Sequence, residues 1–382
     1  MEIKKRIALV IKTDGLEYDD RVRKEILTTQ KLFPEVEFKI FVMFPENKET
    51  DGVTSYGVPY HSVYIPSRDK YPSSKKAALK SYEFYKAIKN ELKGYDAVWC
   101  ANEDTAMVVA LIGQKSLLWD LHELPTSLLG NTLKRKLLKY MFSRCKVIVH
   151  ANPQREKYLE SIGVISKPSK HFALRNFPNF EDKDTEYDET YYKFVEWKKE
   201  RKCVYLQGLT NDSRAAFESI FAVLQIPELI AVVVGGFDKE SKKRLEDTYG
   251  KNLEERVFFV GKVPQLKIPQ YVEKCQLSLI FYKNVRPNNW YCEANRFYQS
   301  VIMGLPVVVG NNPSMKEIVE KYDIGVSIDD DGCDVEKIKK GIKRVIDNYD
   351  SFLQKNKDNR NQLLWNKQEE SIRNIVYQLM SR

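Results

Sequence analysis

The sequence has few of the residues that staple or metallate a fold. Its 382 residues hold six cysteines (Cys100, Cys145, Cys203, Cys275, Cys292 and Cys333), none in a C-x-x-C spacing, and only four histidines. That usage argues against a disulfide framework and a cysteine-rich metal cluster, and a reducing cytoplasm is the expected setting. No apolar run approaches the roughly 20 residues of a membrane-spanning helix. The opening MEIKKRIALVIKTDG carries an apolar run of strand length, too short for the core of a signal peptide. Short internal repeats and low-complexity tracts are absent too.

What remains is the composition of a globular protein: 43% hydrophobic, 30% charged, with a net charge of +9. A positive balance suits nucleic acid, an anionic membrane surface, phosphorylated small molecules, or simply a basic exterior. Charge alone does not choose among these.

Periodicity says more. Short apolar runs alternate with amphipathic stretches: RIALVI, EFKIFVMF, DAVWCA, SLLWDL and KVIVHA in the first half, then KCVYLQG, LIAVVVGG, RVFFVGK, LSLIFY, LPVVVG and GVSID. Between them lie helical patterns such as DRVRKEILTTQKLF. This order predicts parallel βαβ units with both sheet faces covered. The rhythm breaks over 177–201, which is charged, aromatic and strandless. The expectation is therefore α/β architecture: two doubly wound Rossmann-like domains facing across a cleft. Domain one spans 1–180, a linker 181–201 and domain two 202–355. Residues 356–382 end in a helix returning toward the first domain.

In open parallel sheets, ligands bind beyond the carboxyl ends of the strands, so the loops there hold the candidates. After the first strand, Gly15 permits a tight turn, and Asp19 or Asp20 can cap the helix that carries Arg21, Arg23 and Lys24. Asp120-Leu121-His122-Glu123 closes another strand with three polar side chains that need partners or solvent. In the second half, Gly208 ends a strand, Asp212 or Ser213 can cap the next helix, and Arg214 falls in its first turn. A cation there opposes the helix dipole unless an anion binds beside it. In CEANRFYQSVIMGLPVVVG, a helical projection puts Glu293, Arg296, Gln299 and Ser300 on one side. Ala294, Phe297, Tyr298, Val301 and Ile302 fall on the other. The polar side suits sugar hydroxyls and phosphate. IDDDG (Asp329–Asp331) offers a D-x-D pattern but reads as a solvated turn. In NTLKRKLLKYMFSRCK, Leu133, Leu137, Leu138, Met141 and Phe142 recur at helical spacing among Lys134, Arg135, Lys136, Lys139, Arg144 and Lys146. Such a helix either packs on the sheet or lies on an anionic membrane.

Taken together, DDRVRKE, WDLHEL, LRNFPN, LQGLTNDSR, VFFVGKVP and ANRFYQSVIMGLPVVV resemble the GT-B glycosyltransferases, specifically retaining family 4, over nearly the whole chain. The resemblance implies transfer of a sugar from a nucleoside-diphosphate sugar, with a UDP-sugar expected, to an acceptor hydroxyl with retention of configuration. No metal and no dedicated protein nucleophile are implied. The acceptor would be a glycan, glycolipid or glycoprotein, with peripheral contact to an anionic membrane and no nucleic acid. His122, Arg214 and Arg296 would serve catalysis, His122 by contacting the donor sugar. Gly15, Gly208, Val263, Glu293, Asn295 and Gln299 would bind the donor, and Asp20, Arg21 and Glu123 the acceptor. Three positions depart from the family pattern. Gln299 stands where the second carboxylate of Glu-x7-Glu holds the ribose. Tyr291 stands at the first carboxylate, with Glu293 two residues on, and Leu209 where a basic residue follows the glycine. These departures keep an inactive GT-B scaffold open as an alternative. A sugar-nucleotide 2-epimerase is the other, although it would need more histidines and acid/base carboxylates.

Overall fold

Runs such as Ile7–Ile11 and Leu229–Val234 are buried along their whole length. A strand without an alternating polar face has both faces covered, which is the condition for parallel sheets flanked by helices. The computed structural model describes residues 4–72, 75–113, 116–179, 186–208 and 211–381. It divides into two compact units, Met1–Asn176 with Gln368–Arg382, and Phe177–Lys367.

The first unit holds β1 (Lys5–Lys12), β2 (Val36–Met43), β3 (Thr50–Val53), β4 (Pro59–Ser62), β5 (Ala97–Ala101), β6 (Leu117–Leu121), β7 (Val147–His150) and β8 (His171–Ala173). They form one sheet in the order β3-β4-β2-β1-β5-β6-β7-β8. Pairing is parallel throughout except between β3 and β4. The second unit holds β9 (Lys202–Gln207), β10 (Leu229–Val234), β11 (Val257–Gly261), β12 (Leu277–Ile280), β13 (Val307–Val309) and β14 (Gly325–Ser327). Their order, β11-β10-β9-β12-β13-β14, is all parallel. In each sheet the winding reverses once, between β1 and β5 and between β9 and β12. Those are the points where a crevice opens at strand ends.

All eleven apolar runs read from the sequence are strands. The hairpin β3–β4 and the edge strand β8 were not anticipated. They are short and polar, and Pro59 at the start of β4 belongs to an edge, where no ladder donor is needed.

The stretch read as a linker folds in part. Helix Glu189–Lys198 is capped by Asp188, whose side chain accepts from the Tyr191 N–H. Tyr191 and Phe194 are buried with Tyr271, Cys203 and Val232 in the core of the second unit. Part of the aromatic content that suggested a linker is therefore core, while Tyr187 and Tyr192 are exposed and residues 180–185 lie outside the described set. At the other end, helix Tyr349–Asn359 stays with the second unit, and the buried Asn356 amide donates to the Ile324 carbonyl (3.1 Å). Only helix Glu369–Met380 joins the first unit. It buries Ile372, Ile375, Val376 and Leu379, and Lys31 from helix Asp20–Leu32 pairs with Glu369 at 2.7 Å.

All four histidines belong to the first unit, and two of them meet in its interior. His150 and His171 stack at 5.1 Å between ring centroids, with ring nitrogens 2.8 Å apart and Phe142 edge-on to both. Burial, then the neighbouring His171, pulls His150 down to about 3. Burial, then Lys170, pulls His171 down to about 4. The unfolded chain therefore binds protons below about 6.5 that the native protein refuses. The stability from neutral imidazoles is full above that pH and is lost as pH falls toward these lowered values. Thermal unfolding should show a midpoint that drops between about pH 6.5 and 5, and less steeply in His171→Phe. A midpoint flat across that window in the unmodified protein would contradict the pair's neutrality.

Candidate functional site

At the reversal of the second sheet, the end of β9 lies beside the end of β12. Gly208 follows β9 with φ at +90°, a conformation natural only to glycine. Close approach adds a second constraint: a β-carbon on Gly235, after β10, would lie 2.5 Å from the Gly208 carbonyl oxygen. The chain next makes a short turn, Asp212–Arg214, and Ala215 in a left-handed conformation precedes helix Ala216–Leu224. Arg214 thus stands before the helix and not in its first turn. Neither Asp212 nor Ser213 caps that helix. Asp212 instead accepts from Lys283 (2.8 Å), which also pairs with Glu218 (3.1 Å), and the Lys283 N–H donates to the Ser213 carbonyl (2.9 Å). Lys283 thereby ties the turn to the strand end after β12.

Helix Asn295–Ile302 differs from its expected two-sided form. Ala294 is its N-cap, so Glu293 precedes the helix; one Glu293 carboxylate oxygen accepts from the Tyr298 hydroxyl (2.6 Å). Arg296 and Ser300, expected on a polar face, are buried, whereas Asn295 is exposed and Gln299 half-buried. The helix is covered on nearly all sides because β12 and β13 lie against it on one side and the segment Tyr349–Leu363 on another.

Arg296, 8% exposed, donates from Nη1 to the Gln207 carbonyl (2.8 Å) and from Nη2 to the Phe281 carbonyl (3.4 Å). Its Nε is buried without a hydrogen-bond partner. Both Arg296 and Arg214 lie over the Tyr282 ring, at 5.0 and 5.4 Å from its centroid. A β-carbon at Gly208 would stand 3.5 Å from one terminal nitrogen of each. Among the described residues, Arg296 makes no ion pair. Burial first, with the like charge of Arg214 adding to it, pulls its pKa down. A buried cation beside a second cation is costly unless an anion joins them. Beside them, Gln207 Nε2 donates to Gln299 Oε1 at 2.7 Å.

The structure thus brings Gly208, Arg214, Arg296 and Gln299 together. Val263 packs half-buried against a core cluster. Tyr291 contributes its carbonyl to the Ser314 hydroxyl (3.2 Å). Leu209 lies outside the described residues. Gln207, Tyr282 and Lys283 escaped sequence reasoning; only the placement of Gln207 directly before Gly208 could have signalled one of them. The D-x-D pattern is a folded loop: Asp330 accepts from the Gly332 and Asp334 N–H groups, and Asp331 from that of Asn284.

In the first unit, Arg21 is 5% exposed and faces inward, unlike a residue that meets an acceptor directly. Its Nη2 and Nε reach the Asp120 carboxylate at 2.9 and 3.3 Å, its Nη1 the Leu174 carbonyl at 2.9 Å, and its Nε lies 2.9 Å from Glu25. His122 Nε2 lies 3.1 Å from Asp120 Oδ2. Asp19, not Asp20, caps the helix, and Asp20 pairs with Lys24 (2.6 Å) and Arg23 (3.0 Å). Gly15 accepts from the Tyr18 N–H in a turn, and Glu123 is exposed. Glu25, Asp120 and His122 carry ligand atoms within 4.8 Å of one another, a spacing suited to a metal ion. The donor set does not fit one, because the Arg21 guanidinium already holds the space between the carboxyls. Glu25, four residues after Arg21 on its helix, went unread; a buried carboxylate leaves no mark in the pattern.

Two parallel doubly wound units in this order are the GT-B glycosyltransferase fold. Residues 215–362 match the family model described as glycosyl transferases group 1, which agrees over that span with the resemblance to GT-B glycosyltransferases. No curated protein gives a significant match. Among solved structures, the chain is similar to the sucrose-phosphate synthase of Thermosynechococcus elongatus, with TM-score 0.75 at 15% identity over 98% of this chain and 99% of that one. It is also similar to Anabaena Alr3699/HepE in complex with UDP-glucose, with TM-score 0.68 at 14% identity, covering 97% and 99%. A third is the catalytic domain of Arabidopsis thaliana Starch Synthase IV bound to ADP and acarbose, with TM-score 0.70 at 11% identity, covering 99% and 100%.

If the two guanidiniums hold a diphosphate, Arg214→Ala should weaken UDP binding by about 1.5–3 kcal/mol, the range for charge-assisted hydrogen bonds. Titration calorimetry that finds unchanged UDP affinity would remove Arg214 from the site.

Proposed function

We propose that the protein is a glycosyltransferase moving a sugar from a UDP-sugar to an acceptor hydroxyl with retention of configuration, in the assembly of a polysaccharide, glycolipid or glycoprotein glycan. The observation that carries this reading is the buried Arg296 beside Arg214 at the β9/β12 reversal. As the glycosidic bond to the departing diphosphate breaks, negative charge gathers on its oxygens, and two fixed cations stabilise it most in the transition state. They take the place that a divalent metal fills in other transferases. Gln299, whose side-chain carbonyl accepts from Gln207, would hydrogen-bond a ribose hydroxyl. Gly208 lets the nucleotide approach the backbone. His122, Asp20 and Glu123 belong in this reading to the sugar and acceptor side.

A thermal-shift panel of UDP-, GDP-, dTDP- and ADP-sugars tests the donor. The UDP-sugar should stabilise the protein most, by about 2.7 kcal/mol at a hundredfold excess over its dissociation constant. No shift with any nucleotide sugar would leave an inactive scaffold.

We further propose that the acceptor is met at an anionic membrane surface. Helix Thr132–Arg144 buries Leu138, Met141 and Phe142, which settles that part of its apolar stripe as core. Leu133 (77% exposed), Leu137 and Tyr140 recur at i, i+4 and i+7 on the outside, with Lys134, Lys136 and Lys139 exposed around them. Basic residues at such a surface each contribute about 1 kcal/mol toward anionic lipid. Wild type should co-sediment with anionic but not neutral vesicles, less so in high salt, and the Lys134→Glu, Lys136→Glu, Lys139→Glu variant should stay in the supernatant. Equal partitioning of the two proteins would rule out this surface.

A further inference from the structure

Behind His122 lies a set of groups that the reaction itself does not call for. Asp120 and Glu25 are both 0% exposed, and one cation, Arg21, faces them both. With both carboxyls ionised, the group would hold a net negative charge cut off from water, which is strongly disfavoured. The state of lower free energy keeps one proton on the pair. Arg21 grips Asp120 with two nitrogens, so Asp120 is the ionised member. Burial alone would raise it, but Arg21 and then His122 outweigh that and hold it below the ordinary carboxylate range. Glu25 is pushed well up, first by burial and then by the Asp120 charge, and neither of its buried carboxyl oxygens has a hydrogen-bond partner among the described residues.

An ionised carboxylate can only accept hydrogen bonds. The 3.1 Å contact between His122 Nε2 and Asp120 Oδ2 therefore requires the hydrogen on Nε2. Neutral His122 is then left with a bare lone pair on Nδ1, and its side chain is 15% exposed. The other titratable groups at this place are Arg155, whose guanidinium donates to the His122 carbonyl, Asp19 near Arg21, the buried Lys24, which is close to Glu25 and pairs with Asp20 at 2.6 Å, and the buried neutral His150.

We propose that Asp120, Arg21 and Glu25 are positioning residues that fix His122 in the Nε2–H tautomer and present Nδ1 as an acceptor for a substrate hydroxyl. Arg21 keeps Asp120 ionised, and protonated Glu25 cancels the excess charge without competing for His122. A hydroxyl fits because it donates one hydrogen; a phosphate oxygen or a carbonyl offers none. Only the source of that hydroxyl, a sugar, rests on the transferase reading.

The test needs no substrate. Long-range proton–nitrogen correlation spectra of the full-length, nitrogen-15-labelled protein report the tautomer of each imidazole, with His122 assigned by its loss in His122→Gln. The Nε2–H form of His122 should exceed the Nδ1–H form by about tenfold or more, as a charge-assisted hydrogen bond dictates. Asp120→Asn, whose amide can donate as well as accept, should show both forms. Glu25→Gln, which keeps the side chain neutral as the protonated carboxyl is, should keep the single form. A wild-type His122 with Nδ1–H or a mixture overturns the proposal, as does an Asp120→Asn protein that keeps the single form. If Asp120→Asn fails to fold, the wild-type and Glu25→Gln spectra still decide. A transferase reading that fails would show as absent nucleotide-sugar binding with the His122 tautomer intact.

Discussion

Parallel strands buried on both faces leave polar chemistry one place to go. Along β1, β9 or β10 the side chains are apolar because helices cover both sides of the sheet. Charged groups gather instead toward the carboxyl ends, where the ladder stops and loops turn into helices, and even Asp120 lies next to the last residue of β6. Both candidate sites sit there, at ends where neighbouring carbonyls and N–H groups supply partners. Gln207 and Phe281 give their carbonyls to Arg296, and Leu174 gives its carbonyl to Arg21.

The two units settle the same electrostatic problem in opposite ways. Arg21 and Arg296 are both almost fully buried. Arg21 is closed off: it meets two carboxyls and a carbonyl, and its charge is spent inside the protein. Arg296 has only carbonyls and an aromatic face, and its nearest charged neighbour is another arginine. A closed cluster organises the groups around it, here His122. An open one requires something from outside, and an anion with several acceptor oxygens meets that requirement. The residue type is the same, so the difference lies wholly in what surrounds it.

That contrast marks how much of the site was legible. The glycine after β9 and the helix before β13 could be placed from turn chemistry and periodicity, so Gly208, Arg214, Arg296 and Gln299 were found together. The helical projection grouped Arg296 and Ser300 on a polar side suited to a ligand but not their burial, because periodicity reports which residues share a side and not what lies against it. Arg21 is a second case. The resemblance gave it to the acceptor, but Asp120, ninety-nine positions away, draws it inward. The aromatic segment before β9 reads as a linker because its aromatics follow no strand pattern, yet Tyr191 and Phe194 lie in the core of the second unit while Tyr187 and Tyr192 stay exposed.

The sequence by itself determined the alternation of strand and helix, the two-unit α/β architecture and the strand ends at which chemistry is possible. These follow from local rules: the spacing of apolar residues, glycine at a positive φ, and polar groups near chain turns. The tertiary structure alone decided which charges meet which. Long-range pairs such as Arg21 with Asp120 and Gln207 with Gln299 depend on the parallel order of the strands, and local pattern does not encode their separations. Whether a buried arginine is satisfied or waits for a ligand is a property of its neighbours in space.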